Sequence, residues 1–135
     1  MNDYQIKSEK SYVLPQAVYR QALYAVKDLD RLRRKLSFLI KTKNKVSITD
    51  PSYLMGGGGL ITDLTGNIAT EITDTEARIN AIESAFDKIP DKYRDGIEDK
   101  LVYDVPYDSN VHCMNTWKKY QQMLIYYVAE NLRIL

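Results

Sequence analysis

The 135-residue chain contains one cysteine and one histidine, and they are neighbours, His112 and Cys113. A single cysteine excludes an internal disulfide, and the pair is too small for a multi-cysteine metal site. Adjacent residues on a helix point about 100° apart, and no third group is suggested to orient them, so a Cys-His catalytic pair is not indicated. We therefore expect no bound metal and no covalent nucleophile.

The sequence also lacks any run of about eighteen apolar residues, which a membrane-spanning helix would require. Its first residues, MNDYQ, contain no basic segment followed by an apolar one, as a secretory signal would. No titratable pair has a spacing that suggests acid-base catalysis. We expect a soluble cytoplasmic protein with one helical domain over residues 1–135, and no enzyme activity, small-molecule substrate, cofactor or membrane partner.

The net charge of +1 hides an asymmetry along the chain. Residues 1–45 hold 11 Lys and Arg against 4 Asp and Glu, residues 46–110 hold 5 against 13, and residues 111–135 hold 3 against 1. A basic N-terminal third is typical of a nucleic-acid surface, but the acidic middle is an internal partner of similar size. We favour pairing within the protein.

Two heptad seams predict two long helices, over residues 14–40 and 67–89. The seam positions are Val18, Ala22, Ala25, Leu29, Leu32, Leu36 and Leu39 in the first helix, and Ile68, Ile72, Thr75, Ile79, Ile82, Phe86 and Ile89 in the second. Bases flank the first seam and acids flank the second, as a paired helical hairpin requires, whether within one chain or between two. We expect a homo-oligomer formed through these seams.

Residues 42–66 connect the two seams and include four consecutive glycines at positions 56–59. This connection is long for adjacent antiparallel helices. The glycines lack the Gly-Lys-Ser/Thr ending of a phosphate loop, so we favour a flexible hinge. Two shorter helices are predicted after Pro90, over residues 91–103 and 115–133, with Asn115 as the cap of the last one. The predicted fold is therefore all-α.

The last predicted helix is amphipathic, and its polar face is the main clue to function. Its apolar arc contains Trp117, Tyr120, Leu124, Tyr127, Val128 and Leu132, and its polar arc contains Asn115, Lys118, Lys119, Gln122 and Tyr126. Amides and lysines are side chains that contact base edges or phosphates in a DNA major groove. From the spacing alone, a packing helix with a solvated face is the favoured interpretation.

Three stretches carry a family resemblance: AIESAFDKIPDKYRDGI at 81–97, NTWKKY at 115–120 and YVAENL at 127–132. Together they resemble transcriptional regulators of the phage RinA type, which look like region 4 of bacterial sigma factors. The glycine-rich linker running into TGNIA at 65–69 is similar to variants from phage-derived regions of low-GC Gram-positive bacteria. The similarity covers about residues 50–135. It implies a DNA-binding transcriptional regulator that uses a helix-turn-helix.

The resemblance also implies which residues contact double-stranded DNA. The candidate DNA-binding residues are Asn115, Thr116, Lys118, Lys119 and Gln122. A second basic patch would add to the contact if the helix predicted over residues 67–89 leaves it uncovered; it consists of Arg31, Arg33, Arg34 and Lys35.

The chain departs from the family pattern between Tyr103 and Asn115, where eleven residues replace a turn, a scaffold helix and a second turn. Either the helix over residues 91–103 serves as the scaffold of a degenerate helix-turn-helix, or DNA binding has been lost. In the second case the chain is a non-catalytic helical oligomerisation or interaction protein.

Overall fold

A computed structural model describes Gln5 and residues 12–47 and 58–135, and in these residues the chain forms five α-helices and no strand. The helices are α1 (Gln16–Lys27), α2 (Leu29–Ser47), α3 (Gly58–Asp87), α4 (Asp91–Tyr103) and α5 (Met114–Asn131). The predicted all-α class is confirmed. The bounds of α4 coincide with the predicted helix over residues 91–103, because Pro90 cannot continue a preceding helix and suits the start of the next.

The long first helix predicted over residues 14–40 is divided into two helices. α1 ends at Lys27, and the backbone N–H of Asp28 donates to the carbonyls of Tyr24 and Ala25 at 3.0 and 3.2 Å. α2 then begins at Leu29 and continues to Ser47, beyond the predicted end. The heptad seam did not reveal this division, since Asp28 lies outside the apolar positions and their spacing continues across it.

The second long helix begins earlier than the seam predicted. α3 starts at Gly58, not at residue 67, so it includes the last two of the four glycines. Residues 42–47, assigned to the linker from the sequence, belong to α2. The helices therefore take up both ends of the connection predicted over residues 42–66. Its remaining part, residues 48–57, lies outside the described residues.

Most seam residues are buried within a single chain. The buried positions are Ala22, Ala25, Leu29, Leu32 and Leu39 from the first seam, and Ile68, Thr75, Ile79, Ile82, Phe86 and Ile89 from the second. Surface that is already covered in one chain cannot add hydrophobic stabilisation when a second copy binds. The homo-oligomer expected through these seams and the pairing of the two predicted helices both remain predictions.

The chain divides into two compact units, whereas its length suggested one domain. Unit 1 comprises Met1–Asp30 and Asn80–Leu135, and unit 2 comprises Arg31–Ile79. In unit 1, α1, α4 and α5 pack against one another. Large side chains with almost no exposure fill this core, including Tyr19, Leu23, Ile97, Leu124 and Val128.

Arg94 joins the end of α3 to α4. Its Nε donates to the carbonyl oxygens of Phe86 and Ile89 at 2.9 and 2.7 Å, and its Nη2 donates to that of Asp87 at 2.8 Å. The last carbonyls of a helix have no partner within that helix. One guanidinium therefore binds two carbonyls at the end of α3 and the Ile89 carbonyl just after it, and an ion pair with Asp91 holds it in place.

A cluster of three tyrosines, Tyr12, Tyr126 and Tyr127, joins the segment before α1 to α5. The Tyr12 ring meets the other two edge-on, with centroid distances of 5.4 and 6.0 Å. The hydroxyl oxygens of Tyr12 and Tyr127 lie 3.5 Å apart. Lys88 Nζ lies 4.8 Å from the Tyr127 ring centroid and 3.7 Å from a carboxylate oxygen of Glu130. These contacts attach the residues preceding α1 to the last helix.

The Tyr127 hydroxyl provides a pH test of this cluster. Its hydrogen bond with Tyr12, and after that burial, raise the pKa of Tyr127 from 10.0 to about 12. The folded state therefore holds this proton more tightly, and its contribution to stability is present below about pH 10 and is lost as the pH rises towards about 12. We expect Tyr127→Phe to show a smaller alkaline loss of unfolding free energy than wild type in urea titrations. Tyr103→Phe, which changes an exposed ring of α4, is the control. If the unfolding free energies of wild type and Tyr127→Phe fall equally at alkaline pH, the expectation is wrong.

Candidate nucleic-acid interface

The first two turns of α5 present the polar residues identified from the sequence. Asn115, Lys118 and Lys119 are exposed, and Thr116 is half-buried. The helix begins at Met114 with Cys113 as its cap residue, so Asn115 lies inside the first turn and does not cap the helix as predicted. The exposed lysines and the positive end of the helix dipole favour anions at this end of α5.

The Cys113 thiol lies beside this helix start and contacts the Thr116 hydroxyl, with Sγ and Oγ1 3.4 Å apart. The hydrogen bond with the Thr116 side chain, followed by those from the backbone N–H groups of Thr116 and Asn115, lowers the pKa of the Cys113 thiol. A lowered thiol pKa agrees with an environment that favours negative charge at this helix end.

Gln122 is buried, and its predicted place on the DNA-facing surface is wrong. Its side chain is only 1% exposed, and its neighbour Gln121 is also buried. Both α1 and α4 pack against α5, so the covered arc of α5 is wider than its apolar residues indicate. The exposed candidate set is therefore reduced to Asn115, Thr116, Lys118 and Lys119, all within the first two turns.

Trp117 anchors the start of α5 from its buried side. Its indole stacks on Tyr107 with a centroid distance of 4.9 Å and an interplanar angle of 6°. The rings of Tyr93 and His112 meet it edge-on at 5.9 and 4.9 Å. Its Nε1 donates to the carbonyl oxygen of Asp108 at 3.0 Å. We call Tyr93, Tyr107, His112, Trp117 and Tyr120 the Trp117 cluster.

The segment between α4 and α5 is where RinA-type regulators, which the sequence resembles, would have a scaffold helix. Residues 104–113, all of which the structure describes, contain no helix and connect α4 to α5. Tyr107 and His112 of this connector both contact the Trp117 ring. Aromatic contacts, in place of a helical scaffold, therefore hold the connector against α4 and α5.

A left-handed residue and a side-chain hydrogen bond hold the first half of the connector. It leaves α4 at Asp104, which has a φ of 59°, a left-handed conformation that Asp adopts more readily than most residues. The Tyr107 hydroxyl donates to Gln121 Oε1 at 2.6 Å. Burial, and to a smaller extent Tyr19, raises the pKa of Tyr107, so this hydroxyl keeps its proton and remains a donor.

Lys92 of α4 is a candidate residue that the sequence analysis missed. Tyr93 and Tyr120 stack with centroids 4.1 Å apart, and a lysine lies over each ring: Lys92 Nζ is 5.2 Å from the Tyr93 centroid, and Lys119 Nζ is 5.7 Å from that of Tyr120. The stacked pair joins α4 to α5, and each ring of the pair has a lysine of its own helix over it. No signal in the sequence indicates this proximity, because it depends on how the two helices pack.

The second basic patch lies in unit 2, whereas α5 belongs to unit 1. Arg31, Arg34 and Lys35 are exposed on α2, and Arg33 is half-buried. The expected pairing of these bases with the acids of α3 remains a prediction. The start of α5 is consequently the site that the structure defines best.

No protein-family model matches the chain, and comparisons with curated proteins and with solved structures find no match either. The resemblance to RinA-type regulators therefore rests on the three stretches and the glycine-rich linker quoted above. Within residues 12–47 and 58–135, no three His, Cys, Asp or Glu side chains group so as to hold a metal ion. Among the same residues, no helix combines the length and apolarity needed to cross a membrane.

Proposed function

We propose that the chain is a non-catalytic DNA-binding transcriptional regulator of the phage type, which places the start of α5 in the major groove of duplex DNA. The supporting observation is that Asn115, Lys118 and Lys119 are exposed on two helical turns whose opposite side is fixed by Trp117. A rigid helix end with exposed amide and ammonium groups has the chemistry of a recognition helix.

In this proposal each exposed residue has a distinct role. The Asn115 amide matches the donor and acceptor pattern of an adenine edge. Lys118 and Lys119 contact phosphates. α4 acts as the supporting helix, and the connector held by the Trp117 cluster replaces the short turn of an ordinary helix-turn-helix. Since two lysines neutralise few phosphates, tight binding requires two copies on one DNA.

A fluorescence-polarisation titration against a duplex oligonucleotide pool tests this proposal. We expect the affinity of wild type to fall as salt rises. Lys118→Ala/Lys119→Ala should bind more weakly, and the slope of log binding constant against log salt concentration should become shallower by about 2. The matched control is Arg20→Ala/Arg78→Ala, which removes two exposed cations elsewhere. No duplex binding by wild type at about 50 mM salt would overturn the proposal, as would equal losses in the two double variants.

The second candidate is a helical interaction protein that has lost DNA binding. The burial of Gln122, which removes one of two base-reading amides, favours it. So does the helix-free connector over residues 104–113. Sedimentation of the wild-type protein separates the candidates: stable oligomers that do not bind duplex DNA support the interaction protein.

A further inference from the structure

α2 carries an exposed aromatic ring on the side opposite its buried residues. Phe38 is 67% exposed, whereas Leu32 and Leu39 are buried. At about 100° per residue, Phe38 points more than about 90° away from both leucines. Leaving a large apolar ring in water forgoes the hydrophobic stabilisation that burial would provide. Packing of the chain therefore does not account for this position.

Five cations surround Phe38 on the same side of α2. At about 100° per residue, each of them points within about 60° of Phe38. They are Arg31, Arg34, Lys35, Lys41 and Lys45, and all of them are exposed. They extend over about 21 Å at about 1.5 Å per residue. We call these five residues and Phe38 the α2 stripe; it contains no acidic residue.

The surface beside the ring is concave. A shallow, open depression of about 410 Å³ is lined by Arg33, Arg34, Ser37, Phe38 and Lys41. One wall is therefore the aromatic ring and the others carry guanidinium and ammonium groups. A flat group with a negatively charged neighbour matches this depression in both shape and charge.

We propose that the α2 stripe binds single-stranded nucleic acid, with Phe38 stacking on a base and the cations contacting the phosphates on either side. A basic track combined with an exposed aromatic platform is the arrangement by which proteins hold single strands without sequence preference. This site is independent of the start of α5, because it lies in the other unit and uses different chemistry.

The stripe fits a single strand better than the other polyanions. In a duplex the bases are stacked on each other, and Phe38 at the centre of the stripe would meet the sugar-phosphate backbone or a groove edge. An acidic peptide would be anchored mainly by apolar side chains buried at the centre of its interface. The stripe has one ring among five cations. It therefore suits a single strand of nucleic acid, which has regularly spaced phosphates and unpaired bases.

The test compares oligothymidylate, a duplex of the same length and polyglutamate as probes in fluorescence polarisation at low salt. We expect oligothymidylate to bind the wild-type protein most tightly. Phe38→Ala should weaken oligothymidylate binding about 5- to 100-fold and leave polyglutamate binding unchanged. Arg34→Gln/Lys41→Gln should weaken all probes that bind the stripe.

A charge-matched control is Lys43→Gln/Arg78→Gln. Lys43 is exposed on α2 but points about 140° away from Phe38, and Arg78 is exposed on α3. The control should bind oligothymidylate like the wild type. All of these are surface substitutions, and circular dichroism verifies that each variant is folded.

The proposal is overturned if folded wild type does not bind oligothymidylate, if Phe38→Ala binds it unchanged, or if the control pair weakens binding as much as the stripe variants. Tighter binding of polyglutamate would assign the stripe to an acidic protein partner instead. Lys118→Ala/Lys119→Ala should not affect oligothymidylate binding, so failure at α2 and failure at α5 are distinguished by the variant that responds.

Discussion

Replacing Trp117 with alanine should lower the free energy of unfolding by about 3–5 kcal/mol, within the usual range for removing a buried aromatic side chain. The indole is 3% exposed and contacts Tyr93, Tyr107 and His112. Its loss leaves a cavity and removes the N–H donor to the Asp108 carbonyl. We expect the connector to detach and the start of α5 to loosen.

Guanidinium unfolding followed by far-ultraviolet circular dichroism measures this effect. Trp117→Phe retains an aromatic ring but removes the hydrogen bond to Asp108. It should therefore lower the free energy of unfolding clearly less than Trp117→Ala does. Tyr103→Ala, at an exposed position just before the connector, is the control for truncating an aromatic side chain. A loss below about 1 kcal/mol for Trp117→Ala would show that the cluster does not hold the connector.

Alanine at Gly96 should destabilise the protein, although the same change at Gly66 should stabilise it. Both glycines are in helices, where alanine is favoured over glycine by about 0.5–1 kcal/mol. A Cβ at Gly66 meets nothing within 4 Å, so this gain should be realised. A Cβ at Gly96 would lie 2.4 Å from Trp117 Cη2 and 2.7 Å from Cζ3. Overpacking of this kind costs about 1–3 kcal/mol, so we expect a net loss at Gly96.

The same unfolding measurements decide this prediction, and a double variant locates the cause. If the Trp117 ring is the obstacle, Gly96→Ala should lower the free energy of unfolding less in a Trp117→Leu background than in wild type. The expectation fails if Gly96→Ala is as stabilising as Gly66→Ala, or if its cost is the same in both backgrounds. Gly96 thus allows the indole of α5 to approach the backbone of α4.

The helices were predictable where a local signal marks their ends. Pro90 fixes the start of α4, and the apolar period places its buried residues Tyr93, Ile97 and Leu101. The division at Asp28 and the helical glycines of α3 were not predictable from the seams. An apolar period reports which side of a helix is buried, but it contains no information about a single polar residue between seam positions.

The candidate site could be predicted only in part from the sequence. The angular positions of Lys118 and Lys119 on α5 correctly predicted their exposure. The predicted exposure of Gln122 was wrong because two helices cover α5. A buried polar residue has no apolar signal in the sequence. The Trp117 cluster depends on rings from α4, the connector and α5, and their proximity is a tertiary property. Lys92 was missed for the same reason.

The position of Trp117 also makes it a natural optical probe. It is the only tryptophan in the chain, so intrinsic indole emission comes from a single location. That indole projects from α5 and contacts both the connector and α4, with the His112 ring 4.9 Å away. Its emission therefore reports whether the connector is docked, without any attached dye.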